Sequence, residues 1–220
     1  MNQLPFNTYD VFAYLASGSV VVAGVDYLYG SQWLLQEEHS AVFSLVLIFG
    51  IYLTGHIVAT CSSAVFESII VGRLLGRPST ILMGGGTSKA IWLFPLYYRP
   101  LPVETRKRIG QRLEENAFAG EGEALFLHIF STVKHGEATK LRLEEFRNLY
   151  GFARNVSFSF LVLSAMIVIG SCDAQRSVPV GWALVALFAA AAMFYRYLKF
   201  LRQFSYEAFV TYSEQQVEKK

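Results

Sequence analysis

The sequence predicts an all-α membrane protein with four transmembrane helices and a small helical cytoplasmic layer. Three observations predict it. Of 220 residues, 53% are hydrophobic and only 16% charged, with mean hydropathy +0.36, and the charges fall in blocks, unlike those of a soluble domain. Four stretches lack permanent charge or nearly do: Val11 to Val25, Ala41 to Phe66, Asn155 to Cys172 and Ser177 to Tyr195. Each approaches the ~20 residues a helix needs to cross a hydrocarbon core of roughly 30 Å. Finally, 13 of the 19 Lys and Arg lie between Arg73 and Arg154, and five lie from Arg196 onward. Basic residues accumulate on the cytoplasmic side, so both blocks and both termini are expected there.

The N-terminal residues 1 to 10 read as a short polar start, with Leu4, Pro5 and Phe6 at the interface or docked on the bundle. The first apolar stretch has no Lys or Arg before it and is followed by Asp26, which is not a small-residue cleavage site. It reads as a retained helix continuing toward Gly30. Between the first two spans, Ser31 to Ser40 carries Glu37 and Glu38 without Lys or Arg and fits the outer face, with Trp33 as an interfacial anchor. Asp173 to Arg176 is a tight link on that same face. Cys61 and Cys172 would lie ~30 Å apart in depth, too far for a disulfide.

The second apolar pattern runs past Glu67 to Leu75, ~50 Å if continuous, and must tilt or project into the cytoplasm. From Gly76 to Arg99, Pro78, Gly84 to Gly86, Pro95 and Pro100 break the chain, giving a loop with a short packed piece and no fifth span. Three short helices are expected next. The first opens at Pro102 and aligns Ile109, Leu113 and Ala117; the second covers about Glu123 to Lys134; the third aligns Leu143, Phe146, Tyr150 and Ala153. The fourth span continues unbroken toward Gln216, ~57 Å in all. The expected organisation is thus a hairpin over 1–75, a cytoplasmic layer over 76–154, and a second hairpin over 155–220. An extended terminal helix needs something to pack on, and a second subunit is one candidate. The cytoplasmic helices are the other, and a homo-oligomer is expected if the second subunit fills that role.

Polar residues inside the second span carry the functional reading. At 100° per residue His56, Thr60, Ser63 and Glu67 fall within about 40° of one another. Ionisable groups at membrane depth should face protein or water, so this stripe lines either a pore or an interhelical seam. Gly55, Ala59 and Ser62 form an adjoining ridge of small residues that lets another helix approach closely. Asp26, at the outer end of span one, is either a solvated interfacial carboxylate or part of an acidic ring at a pore mouth.

In the loop region, Gly84-Gly85-Gly86-Thr87-Ser88-Lys89 departs from the P-loop order, which disfavours a nucleotide hydrolase and favours a hinge below the long second span. Arg106, Lys107, Arg108 and Arg112 form a basic cluster, and Lys140, Arg142 and Arg147 form another. Either is a solvated or lipid-facing surface or an anionic-ligand site. His128 and His135 lack companion ligands, so no metal is expected. No hydrolase or metalloenzyme signature is present, and neither catalysis nor a cofactor is expected.

The segment Asp10-Val11-Phe12-Ala13-Tyr14-Leu15 with Gly18, and Tyr52-Leu53-Thr54-Gly55-His56 with Ser62, Ser63 and Glu67, resemble the membrane effectors of bacterial anti-phage defence systems. Among these the layout is similar to the channel-forming effector of the Hailong system. The likeness covers mainly the first two spans. It implies a homo-oligomeric, tetrameric inner-membrane ion channel that opens on infection. The implied control is a nucleotide or oligonucleotide from a partner nucleotidyltransferase, with the cytoplasmic basic residues as its contacts. A different reading of the residues is a non-conducting anchor or sensor subunit for a soluble partner. An intramembrane enzyme using His56 and Glu67 is the least favoured.

Overall fold

The computed structural model describes residues 8–31, 33–34, 40–86, 89–171 and 180–214. Several expectations lie outside them: the docking of Leu4 to Phe6, the acidic Glu37 and Glu38, Thr87 and Ser88, Cys172, the link Asp173 to Arg176, and the helix end at Gln216.

All regular structure among the described residues is helical. The elements are α1 (Thr8–Tyr29), α2 (Ala41–Ser62), a π-helical segment (Ser63–Leu75), α3 (Pro78–Leu82), a 3₁₀ turn (Lys89–Trp92), α4 (Val103–Glu115), α5 (Gly122–Val133), α6 (Glu137–Ser171) and α7 (Gly181–Glu214). Four are long and apolar enough to cross a membrane: α1, the helix beginning at Ala41, α6 and α7. The 22 residues of α2 extend ~33 Å at 1.5 Å per residue, enough for a hydrocarbon core by themselves. Ser40 caps α2, its hydroxyl accepting from the Phe43 N–H at 3.2 Å.

The structure differs from expectation in two places. The third short helix does not exist separately: Glu137 to Ser171 is one helix of 35 residues. Gly151 is its only breaker candidate between Leu143 and Asn155, and a single glycine costs only ~1 kcal/mol in a helix. The helix from Ala41 is continuous to Leu75, but its last 13 residues take the wider i→i+5 bonding of a π-helix.

The chain divides into two compact units. The first comprises the described residues of Met1–Phe66 and Gly151–Tyr197. Its helices meet through small residues. A Cβ on Gly18 would stand 1.9 Å from the Ile51 carbonyl oxygen, and one on Gly55 would stand 2.0 Å from that of Tyr14. The backbones of α1 and α2 therefore touch, as small-residue faces permit. Serines on α6 fasten the other contacts: Ser157 and Ser164 donate to the α7 carbonyls of Ala190 and Ala183, at 2.8 and 2.9 Å. Ser159 donates to Ser17 of α1 at 2.8 Å. Where no water competes, each such bond satisfies a hydroxyl that lipid could not. Phe66, almost fully buried, packs against the rings of Phe158, Phe194 and Tyr197.

The second unit comprises the described residues of Glu67–Tyr150 and Leu198–Lys220. Its core joins Leu82, Leu101, Ile109, Leu125, Ile129, Val133, Leu143 and Phe209. The phenols of Tyr97 and Tyr98 donate to the carbonyls of Gly76 and Leu75, each at 2.8 Å, and so satisfy acceptors that the end of the π segment leaves open. Burial, with Tyr98 alongside, raises the pKa of Tyr97 above the ordinary tyrosine value. Gly76, Gly84 and Gly86 have φ of +85°, +90° and +88°, so only glycine turns the chain there without strain.

Candidate functional site

The polar residues of the first unit gather at two places. At the first, α2 passes Tyr14 of α1 so closely at Gly55 that the His56 ring stacks on Tyr14, with centroids 4.0 Å apart and planes at 26°. Tyr52, one turn earlier on α2, meets His56 edge-on at 4.6 Å. Two tyrosines thus hold the imidazole and leave it half-buried. The Thr60 hydroxyl donates to the His56 carbonyl at 3.0 Å, and its residue is exposed. Such back-bonding satisfies a hydroxyl within its own helix.

The second place centres on Asn155, which is 3% exposed. Its Oδ1 accepts from the Ser62 hydroxyl at 2.9 Å and from Arg154 Nε and Nη2 at 3.2 and 3.1 Å. The single Ser62 proton is shared with the Ala59 carbonyl, also at 2.9 Å. A fully buried amide joined to a guanidinium in this way fixes α6 against α2.

Several expected site residues are placed differently. Glu67 belongs to the second unit and lies in the π segment, where the 100° advance used to count the stripe does not hold. Ser63, half-buried, begins that segment. Within the first unit, His56 and Thr60 remain on one α-helical face. The ridge of Gly55, Ala59 and Ser62 is divided between partners: Gly55 meets α1, and Ser62 meets α6. Asp26 is not solvated. It is 5% exposed, and its two oxygens accept the backbone N–H groups of Trp33 and Leu34 at 2.7 and 3.2 Å. Its carboxylate ties the turn after α1 back onto the helix.

No protein-family model matches this chain, and comparison with curated proteins and with solved structures returns no match.

In the second unit the basic cluster of α4 separates. Arg106 turns inward toward the Met83 carbonyl beside Gly84, where a Cβ would stand 2.5 Å from its Nη1. Arg112 donates to the Tyr212 carbonyl near the end of α7 and lies 6.0 Å from the Tyr212 ring. Both act as structural clamps, and Lys107 and Arg108 stay exposed. Among the described residues no group of His, Cys, Asp or Glu is arranged to hold a metal.

The sequence reading missed the role of Asn155. Its signal was nevertheless present: an amide opening an apolar run, followed by Ser157 and Ser159, is polar in a place where each polar group needs a partner.

Proposed function

We propose that this chain is a multi-pass protein of the bacterial inner membrane, with cytoplasmic termini, that assembles as a homo-oligomeric ion channel. In this reading it is the ligand-regulated effector of an anti-phage defence system, and conduction depolarises the host and arrests growth. The resemblance of the Asp10 to Leu15 and Tyr52 to His56 blocks supports the defence role and four subunits.

One observation carries the channel reading. The most apolar window of the helix beginning at Ala41 is 11% buried, against 33% for α1, 39% for α6 and 22% for α7. This least covered helix is the one that carries His56 and Thr60. An ionisable ring with an open side needs protein or water around it, and symmetry copies about a conducting axis supply both.

Recording from purified protein in planar bilayers, with and without nucleotides and short oligonucleotides, tests the proposal. Unitary currents altered by His56→Phe, which keeps the ring stacking, are expected. Absence of conductance under every ligand condition refutes it, as does a monomer in detergent, which offers no symmetry axis.

The independent core of the second unit, around Ile109, Ile129 and Phe209, favours a second reading as a membrane anchor or sensor for a soluble partner. That reading expects a stable partner in pulldown and unchanged permeability on overexpression.

A further inference from the structure

A cleft of about 350 Å³ opens in the second unit where α5 ends and α6 begins. Its size suits a small molecule. Its rim is basic: Lys134 and His135 stand at the end of α5, and Lys140 and Arg147 project from α6. Lys140, Glu144 and Arg147 are spaced by four and three residues, so they share one face of that helix. Three permanent cations therefore surround the single carboxylate of Glu144. Arg142 is directed elsewhere and bonds Glu207 at 2.9 Å.

The floor is apolar, formed by Phe130, Leu143 and Phe204. The Phe204 ring lies 5.9 Å from that of Phe130 and 5.8 Å from that of Tyr150, which fixes it in an aromatic row. A small inorganic anion would engage the rim and leave this floor uncovered. A purely apolar ligand would leave the cations unmatched.

We propose that this cleft binds an organic phosphate, its phosphate held by Lys134, Lys140 and Arg147 and its aromatic or aliphatic body on Phe130 and Phe204. A phosphate accepts from several directions at once, which suits two flexible ammonium groups and a guanidinium fork. The site is separate from the α4 cluster, where Arg106 and Arg112 already bond backbone carbonyls. A soluble nucleotide and a phospholipid headgroup share this chemistry.

Binding to the full chain in uncharged detergent, measured by thermophoresis, separates them with three probes: inorganic phosphate, adenosine monophosphate and dioctanoyl phosphatidic acid. One of the two organic phosphates is expected to bind at least tenfold more tightly than inorganic phosphate, and its identity names the source. Lys140→Glu with Arg147→Glu should weaken that binding at least tenfold, and Glu144→Gln should tighten it severalfold. Arg108→Glu, on the exposed face of α4, should leave it within twofold. Lys140 and Arg147 are both exposed, so the double variant should melt like the parent. If it does not, the Glu144→Gln result decides, because misfolding cannot tighten binding. The proposal is overturned if neither organic phosphate exceeds inorganic phosphate, if the folded double variant keeps its affinity, or if Glu144→Gln does not tighten binding. No current is measured, so a protein that binds but does not conduct sinks the channel reading and leaves this site standing.

Discussion

Replacing Gly55 with alanine isolates the contact that positions His56. The added Cβ would stand 2.0 Å from the Tyr14 carbonyl oxygen, with Tyr14 C and Cα at 2.6 and 2.8 Å. All three neighbours are backbone, so no side-chain rotation relieves the clash. To restore even a 3.0 Å separation, α1 and α2 must part locally by about 1 Å. Overpacking of this kind costs about 1–3 kcal/mol, offset by up to ~1 kcal/mol of helix propensity gained on losing glycine. Gly50 lies on the same helix, and a Cβ there meets nothing within 4 Å. Gly50→Ala therefore gains the propensity without the clash. Thermal melts of the two variants in one detergent compare them directly. A chain this long shifts roughly 2–4 °C per kcal/mol, so Gly55→Ala should melt several degrees below Gly50→Ala. Equal melting, or Gly55→Ala the more stable, would refute backbone contact between α1 and α2.

Asn155→Ala removes the acceptor that the Ser62 hydroxyl and the Arg154 guanidinium share, while Ser62 keeps the Ala59 carbonyl, so the cost is about 1 kcal/mol; chemical denaturation should detect it, and Ser62→Ala should cost less. Asp26→Ala removes the acceptor of two backbone N–H groups. Hydrogen exchange should rise at Trp33 and Leu34 while the centre of α1 is unchanged. Tyr97 has a folded-state pKa above its unfolded value. The stability contributed by its neutral phenol is thus complete below about pH 10 and declines as pH rises further, when the unfolded chain can ionise. Tyr97→Phe should flatten that alkaline loss in melts taken across pH 9 to 11; an unchanged slope would contradict it.

The four long helices were legible because membrane-spanning segments declare themselves by composition: charge-free runs of suitable length need no knowledge of their neighbours. The close approach at Gly55 was legible for a related reason, since glycine, alanine and serine at such spacing leave few other uses. Asp26 was misread because a carboxylate at a helix end looks solvated until the following turn folds back and aims its N–H groups at it. The basic cluster of α4 divides for a similar reason. Its four charges are alike in sequence, and only the path of the chain through Met83 and Tyr212 decides that Arg106 and Arg112 turn inward.

The π segment shows where periodicity itself gives out. A stripe counted at 100° per residue assumes one helical form throughout, and Ser63–Leu75 does not keep it. Wider turns weaken packing along the helix axis, so such a segment needs outside support at its open carbonyls. Tyr97 and Tyr98 provide it from more than 20 residues away, donating to Gly76 and Leu75. The end of the segment is thus held by a tyrosine pair that no window centred on residues 63–75 contains. That support makes the pair a handle: Tyr97→Phe combined with Tyr98→Phe strips both donors and should let the segment revert toward α-helical bonding. Site-directed spin-label distances within 63–75 would register that reversion as a lengthening, and unchanged distances would show that the π form stands without the tyrosines.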